Sequence, residues 1–106
     1  MKYNKDILDR FLTENVAINV ETQQEWDDFM KLLESETECK WSNHNNIPTY
    51  HNHWTKHKTY TSVAFNFDGF ERLGFAISDF YQSRSCEVIK YKVLIKEKKQ
   101  WQTLKK

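Results

Sequence analysis

The clearest pattern of apolar and polar positions lies in the first third of the chain. Val16, Ile18 and Val20 alternate with Ala17 and Asn19, and this two-residue period predicts a short strand with one apolar face. Such a face must be covered by another element. The residues that follow the strand supply one.

An amphipathic helix is predicted directly after this strand. Thr22 and Glu25 have the spacing of a capping box, in which the Thr22 hydroxyl accepts from the Glu25 N–H and the Glu25 carboxylate accepts from the Thr22 N–H. The apolar positions of the helix recur at i, i+3, i+4 and i+7 and are Trp26, Phe29, Met30 and Leu33. We therefore expect the strand and the helix to pack on each other as one unit.

A shorter helix is predicted before the strand, and a long loop after the capped helix. Asn4 is a suitable N-cap for the first helix. Its apolar side is predicted to hold Ile7, Leu8, Phe11 and Leu12. Trp41 is expected to open a second strand or to anchor the loop. Residues 42–58 contain all four histidines and the only proline, and we expect a long loop or an irregular edge with local turns.

A second alternating stretch, residues 58–67, predicts another strand. Its inner face is predicted to hold Thr59, Thr61, Val63, Phe65 and Phe67. Asp68 and Gly69 are typical turn residues. A three-residue loop, residues 68–70, pairs Phe65 with Leu73 and Val63 with Phe75 and keeps both apolar sets on one face, whereas a two-residue turn at 68–69 places them on opposite faces. We therefore predict the odd-length loop.

The last third of the chain predicts a turn, a strand and a basic tail. Residues 78–84 predict a turn or a single helical turn. Residues 87–95 predict a strand with inward side chains at Ile89, Tyr91, Val93 and Ile95 and outward side chains at Lys90 and Lys92. Residues 96–106 are expected to form a basic, frayed tail. The chain is thus predicted to be a single α+β domain, residues 1–106, with an antiparallel sheet of about four strands and two helices on one face.

Composition and charge narrow the class of protein. Of the 106 residues, 39% are hydrophobic and 15% aromatic, which suits one core rich in aromatic side chains. Residues 1–40 carry 5 basic and 10 acidic residues, a net charge of −5, whereas residues 41–106 carry 11 and 5, a net charge of +6. No apolar run is long enough for a membrane span and no signal peptide is visible, so we expect a cytoplasmic protein with reduced cysteines.

The histidines are the main candidates for site chemistry. His51, His53 and His57 fall within seven residues and His44 lies nearby, which is compatible with a transition metal such as zinc. No cysteine or carboxylate lies in residues 42–58, however, and the two cysteines of the chain show no catalytic signature. With only two glycines, a phosphate-binding loop is also excluded. We therefore predict no metal site, no cofactor and no catalytic site.

Two kinds of partner fit the exposed aromatic and charged residues that we expect. A protein partner would contact the loop through Tyr50, His53, Trp54 and His57 and the helix through Asp27, Asp28 and Glu34. A nucleic acid would contact the aromatic and basic residues 50–60 and the C-terminus, namely Lys56, Lys58, Lys98, Lys99 and Trp101. The pI of about 7.8 is low for a dedicated nucleic-acid-binding domain, so the protein partner is favoured.

A resemblance to known proteins also favours a protein partner. The run VAINVETQQEWDDFMKLLES followed by Trp41, and the later run EVIKYKVL, resemble small accessory proteins of phages and prophages of Gram-positive bacteria. In those proteins a short strand leads through a Thr-x-x-Glu cap into a helix and then an aromatic-rich sheet. The likeness covers roughly half of the chain. It is carried by fold motifs, so it transfers no functional residue, and the His-rich loop departs from it.

The resemblance implies a short phage gene product that binds and blocks a host protein, such as a CRISPR-type defence nuclease. We therefore predict a non-enzymatic inhibitor or modulator of a host protein, acting in the cytoplasm of a bacterial host. A nucleic-acid-binding accessory protein is the alternative. A metal-dependent or hydrolytic enzyme that uses the His-rich loop is the third interpretation.

Overall fold

A four-stranded sheet forms the centre of the computed structural model, which describes residues 3–41, 46–50, 52–69 and 71–95. The strands are β1 (Val16–Asn19), β2 (Thr61–Ala64), β3 (Gly74–Ile77) and β4 (Glu87–Lys90). The helices are α1 (Lys5–Thr13), α2 (Gln23–Glu36), α3 (Trp54–His57), α4 (Ser78–Ser83) and α5 (Tyr91–Leu94), and 3₁₀ turns lie at Pro48–Tyr50, Lys58–Tyr60 and Phe67–Gly69. The predicted α+β class is confirmed. Within the described ranges, no helix is long and apolar enough to cross a membrane.

The sheet is mixed, with the strand order β3-β2-β1-β4. β2 is antiparallel to both β1 and β3, whereas β4 is parallel to β1. The prediction of a purely antiparallel sheet is therefore wrong for this one pairing. The physical reason is α4, which carries the chain from β3 at one edge to β4 at the other, since parallel strands need a crossover connection.

The register of β2 and β3 confirms the predicted pairing of Val63 with Phe75. The predicted three-residue loop is wrong in length, because Ala64 and Gly74 are the last pair and residues 65–73 connect the two strands. Val63 and Phe75 contact the same core, as the argument from parity requires.

The larger core lies between one face of the sheet and helices α1, α2 and α5. Its largest fully buried side chains include Trp26, Tyr91, Phe11 and Phe29. The predicted apolar stripe of α2 is buried in full, together with Leu32. From α1, Leu8 and Phe11 are buried, while Ile7 and Leu12 pack beside them at partial exposure. The predicted inner sides of both helices are therefore confirmed.

Helix α4 covers the opposite face of the sheet, so the prediction that helices cover only one face is wrong. The smaller core on this side consists of Ala17, Ala64, Tyr81 and Cys86. As a result, β1 is buried along its whole length. Its predicted polar face is buried too, with Ala17 at 0% and Asn19 at 6% exposure.

The predicted strand at residues 58–67 is shorter than expected, since only Thr61 to Ala64 pair in the sheet. Phe65 still packs against the larger core. Phe67, however, begins a 3₁₀ turn and packs with the smaller core, so its predicted position beside Phe65 is wrong. The alternation ends where the strand ends, because a 3₁₀ turn has a three-residue period.

The predicted strand at residues 87–95 is correct only in its first half. After Lys90 the chain forms the single helical turn α5, which buries Tyr91 and Leu94. Val93 and Ile95 are 37% and 38% exposed, so their predicted inward positions are wrong. The spacing between the two buried residues suits a helical turn against the core. The predicted basic tail, residues 96–106, lies outside the described residues.

Both predicted N-caps are present. The Asn4 side chain accepts from two backbone N–H groups of α1, and the Thr22 hydroxyl accepts from the Glu25 N–H at 3.0 Å. The return hydrogen bond differs from the prediction, because the Glu25 carboxylate accepts from the backbone N–H of Glu21 at 2.8 Å instead of from that of Thr22. The Glu25 side chain therefore reaches one residue further back along the chain than in a standard capping box.

Candidate interaction groove

One wall of a surface groove is formed by helix α2. Trp26 and Met30 are each 1% exposed and face the core. Asp27 and Lys31 follow them in sequence, so they project from the neighbouring strip of the helix towards solvent. Trp26 and Met30 are four residues apart, as are Asp27 and Lys31, so each pair lies along one side of the helix. The wall therefore has an apolar base and a charged rim.

The opposite wall is the 3₁₀ turn Pro48–Tyr50. Pro48 is buried, and its carbonyl oxygen accepts from the Trp41 indole N–H at 3.0 Å. The Trp41 ring stacks on the Trp26 ring, with the centroids 5.8 Å apart and an angle of 16° between the planes. The stacked tryptophans therefore hold the turn against α2, and the predicted role of Trp41 as a loop anchor is confirmed.

Polar contacts join the two walls near both ends of the groove. At one end, the side-chain amides of Gln23 and Asn52 donate to each other at 3.1 Å. At the other end, the Glu34 carboxylate accepts from the hydroxyl and the backbone N–H of Thr49. Gln23 and Glu34 lie roughly 16 Å apart along the helix axis. These contacts therefore fix the spacing between the two walls of the groove.

The groove has a volume of about 220 Å³. Its lining consists of Trp26, Asp27, Met30, Lys31, Thr49 and Asn52. Sites for small molecules typically occupy ~300–1,000 Å³. This groove is smaller and open to solvent, so it suits one or two side chains of a protein partner better than a whole cofactor.

The electrostatics of the groove are set by α2. The helix carries five acidic residues and one lysine, a net charge of −4. Burial, followed by the nearby carboxylates of Asp28 and Glu25, raises the pKa of Tyr91 to about 12. On its outer side, the net negative charge of the helix favours a positively charged partner.

Of the residues predicted to bind a partner, Asp27 is the one that lines the groove in the described part of the chain. Glu34 lies on the same helix and accepts from the lining residue Thr49, and Tyr50 follows Thr49 with 66% of its side chain exposed. Asp28 lies on a different strip of α2, where it accepts from the Gln24 amide at 2.8 Å. The contact between α2 and the loop therefore involves only some of the residues that were predicted to bind a partner.

His53 lies behind the groove and packs among aromatic rings. Its imidazole stacks on Phe75, with the centroids 4.2 Å apart and an angle of 7° between the planes. The rings of Trp41 and Trp26 meet it edge-on at 5.2 Å and 6.0 Å. His53 therefore connects the tryptophan pair of the groove to the sheet.

Trp54 and His57 are both partly buried on helix α3. The Trp54 indole N–H donates to the carbonyl oxygen of Val20 at 3.1 Å, and its ring packs against the larger core. The His57 ring lies 5.8 Å from the Phe75 ring. These contacts give both side chains a place in the fold, and their contact with a partner stays a prediction.

The structure gives no support for a metal or a catalytic cysteine in the part of the chain it describes. In residues 3–41, 46–50, 52–69 and 71–95, no three His, Cys, Asp or Glu side chains are close enough to hold a metal ion. His44 and His51 lie outside these ranges. Cys39 and Cys86 form no disulfide with each other and are buried in different cores, on opposite faces of the sheet. Burial raises the pKa of the Cys39 thiol, which disfavours the reactive thiolate.

The residues predicted to bind nucleic acid are only partly described. Lys56 and Lys58 are exposed, and Tyr60, two residues further along, is 69% exposed. The other three predicted positions are Lys98, Lys99 and Trp101, and they lie outside the described residues. The described part of this set lies at the start of β2, away from the groove.

The sequence pattern predicts Trp26 and Met30 only as core residues, and it does not predict the lining residues Lys31, Thr49 and Asn52 as part of a site. Lys31 had a usable signal, because it lies four residues after Asp27 on the same side of the helix. Thr49 and Asn52 have no local sequence signal. The contact of Thr49 with Glu34 spans 15 positions of the chain, and that of Asn52 with Gln23 spans 29.

Comparisons with models of known protein families, with curated proteins and with solved structures found no match for this chain. The candidate function is therefore argued from the groove and its chemistry.

Proposed function

We propose that this chain is a non-enzymatic binding protein, a small phage-type inhibitor or modulator of a host protein, acting in the bacterial cytoplasm. The observation that carries the proposal is the groove between α2 and the 3₁₀ turn Pro48–Tyr50, together with the exposed Tyr50, which directly follows the lining residue Thr49 in the sequence. Exposed tyrosines beside a small pocket are typical of interface hot spots, because they bury a large area at low entropic cost.

The charge of α2 indicates the kind of partner. The Asp27 carboxylate lines the groove, on a helix with a net charge of −4. Proteins that process nucleic acids carry Lys and Arg clusters that bind phosphates. An acidic helix competes for the same cations, so a defence nuclease such as a CRISPR effector is the class of target that we propose.

The experiment is a pull-down from a bacterial lysate treated with nuclease, with the tagged full-length chain as bait. Two matched variants distinguish the surfaces. Tyr50→Ala removes the exposed tyrosine of the groove, whereas Tyr60→Ala removes an equally exposed tyrosine at the start of β2. We expect one host protein to be captured, about tenfold less of it with Tyr50→Ala, and an unchanged amount with Tyr60→Ala.

An equal loss with both variants, or capture that disappears after nuclease treatment, would contradict the proposal. Asp27→Lys provides a second check on the groove. The charge reversal is expected to reduce capture of a basic partner and to make capture fall less steeply with salt, because the attraction that salt screens has been removed.

Nucleic-acid binding is the second candidate function, and the exposed pair of Lys58 and Tyr60 supports it. An aromatic ring beside a cation is suited to base stacking and phosphate contact. In a titration with single-stranded DNA or RNA, this function requires an affinity that falls steeply with salt and decreases with Tyr60→Ala but not with Tyr50→Ala.

A further inference from the structure

The connection between α3 and β2 contains a strained backbone position. Lys58 has a φ of 51° and a ψ of −127°. In this region the Cβ of an L-residue crowds the backbone, so turns that need it usually place glycine there. A strained residue of another type persists only where the surrounding structure fixes it, and such residues cluster at functional sites. The lysine side chain is therefore a candidate for a role that glycine could not fill.

Hydrogen bonds from other elements fix the backbone that follows this position. The carbonyl oxygens of Thr59 and Thr61 accept from the Asn19 side-chain amide at 3.0 Å and 2.9 Å. Asn19 lies on β1 and is 6% exposed. The carbonyl oxygen of Tyr60, between them, accepts from the Ser78 hydroxyl at 3.2 Å. Three successive carbonyl groups are thus held by β1 and by the start of α4.

The fixed turn presents a cation and an aromatic ring to solvent. Lys58 is exposed, and Tyr60 is 69% exposed. Lys56, at the end of α3, is exposed as well. In the part of the chain that the structure describes, neither lysine has an ion-pair partner. Two ammonium groups beside an exposed phenol ring are therefore available to a partner.

The charges around the turn favour an anionic partner. No Asp or Glu lies in residues 42–67. The two segments that hydrogen-bond to the turn each bring one carboxylate, Glu21 after β1 and Asp79 in α4. The Glu21 carboxylate is offset, since it lies 3.1 Å from the Lys90 ammonium and 3.4 Å from that of Lys92. Asp79 is a single negative charge against the two lysines of the turn, so a net positive charge remains.

We propose that the turn Lys58–Tyr60 binds single-stranded nucleic acid, with a base stacked on the Tyr60 ring and the Lys58 ammonium on a neighbouring phosphate. This inference rests on nucleic-acid binding, the second candidate function, and specifies the type of strand and the strained residue that contacts it. A single strand fits because its bases are free to stack on a side chain, whereas those of a duplex are stacked on each other. The fixed backbone lowers the entropic cost of binding.

The test is a salt titration by fluorescence anisotropy, with a labelled single-stranded oligothymidine of about 12 nucleotides and its matched duplex as probes. Lys58→Ala removes the ammonium and keeps the strained position, whereas Lys58→Gly removes the ammonium and relieves the strain. We expect each variant to weaken binding of the single strand about tenfold at low salt and to lower the salt slope by about 1. Lys31→Ala, at an exposed lysine of the groove, is the matched control and is expected to bind as the unmodified chain does.

Thermal unfolding of the same variants tests the strain. We expect the unfolding midpoint of Lys58→Gly to lie about 4 °C above that of Lys58→Ala, because glycine adopts this φ without a clash. The expected combination is a variant that is more stable and binds more weakly, which a purely structural role of Lys58 does not produce. Equal midpoints would contradict the strained role of this lysine.

The failure of this inference differs from the failure of the functions on which it builds. If the unmodified chain binds the single strand and both Lys58 variants bind it equally well, the inference is overturned while nucleic-acid binding stands. Tighter binding of the duplex, or an equal loss with Lys31→Ala, would also overturn it. An unmodified chain that binds neither probe at low salt would overturn nucleic-acid binding as well. The groove function is separate, so capture of a host protein is expected to be unchanged by Lys58→Ala.

Discussion

The two faces of the sheet are built in different ways. One face is covered by α1, α2 and α5, and its core contains large rings such as those of Trp26, Phe29 and Tyr91. In the part of the chain that the structure describes, α4 covers the other face, above Ala17 and Ala64, which pair with each other across β1 and β2. The face under α1, α2 and α5, the large face, therefore supplies most of the apolar burial. The face under α4, the small face, depends on a close approach of the helix to the sheet.

Close approach on the small face is accompanied by a buried polar network. The Asn19 side-chain amide donates to the carbonyl oxygens of Thr59 and Thr61 at 3.0 Å and 2.9 Å. It also lies 3.4 Å from the Ser78 hydroxyl at the start of α4. The apolar core is small on this side, so directional hydrogen bonds position the helix there.

The largest expected effect is a loss of stability on the large face. Trp26→Ala removes a ring that is 1% exposed and is expected to lower the free energy of unfolding by about 3–5 kcal/mol, because it leaves a cavity. Phe80→Ala on the small face removes a ring that is 37% exposed and is expected to cost about 1 kcal/mol or less. Urea denaturation of both variants measures the difference. Similar losses of unfolding free energy in the two variants would mean that the two faces of the sheet contribute equally to stability.

The next effect tests close approach on the small face. Ala17→Leu adds volume where α4 packs on β1, and we expect a loss of about 1–3 kcal/mol in the free energy of unfolding from overpacking. Thr13→Leu, at an exposed position of α1, is the control for added apolar volume. Unchanged stability of Ala17→Leu in urea denaturation would show that α4 can move away from the sheet at little cost.

A smaller effect concerns the helix ends. Helix α2 of the large face has the side-chain cap Thr22, whereas the N-cap of α4, Ile77, makes no side-chain cap hydrogen bond. Thr22→Ala is expected to cost about 1 kcal/mol. Thr55→Ala, at an exposed position inside α3, is the control for the substitution itself. Equal thermal unfolding midpoints for the two variants would contradict a role for the cap.

The smallest expected effect depends on pH. The Glu21 carboxylate lies 3.1 Å from the Lys90 ammonium and 3.4 Å from that of Lys92, and these contacts lower its pKa below the usual 4.5. Its contribution to stability is therefore present above pH 4.5 and is lost as the pH falls through the lower, folded-state pKa. Glu21→Gln is expected to lower the thermal midpoint at pH 7 and to have little effect near pH ~2. A difference that is constant across this range would contradict the linkage.

Much of the fold could be predicted because its signals are local. The cap at Thr22 and the stripe from Trp26 to Leu33 each depend on residues within one or two helical turns. The pairing of Val63 with Phe75 followed from parity, which any sheet with one buried face enforces. Such patterns express short-range geometry and can be interpreted without the rest of the molecule.

The candidate site was predicted less completely, and for a physical reason. Asp27 was expected to bind a partner, but nothing in its local sequence indicates that it lines a groove with Thr49 and Asn52. The hydrogen bond between Thr49 and Glu34 forms only when the loop lies on α2. The loop lies there because Trp41 stacks on Trp26, a contact between rings 15 positions apart in the sequence.

The sequence by itself determined the α+β class, both helix starts, the β2–β3 register and the acidic character of α2. Only the tertiary structure decided that β4 runs parallel to β1, that α4 buries the second face, and that residues 91–94 turn into a helix instead of extending the strand. Alternation in a short apolar stretch fits a strand or a single helical turn almost equally well. The choice between them depends on which surface is available to bury Tyr91 and Leu94, and that surface exists only once α1 and α2 have packed on the sheet.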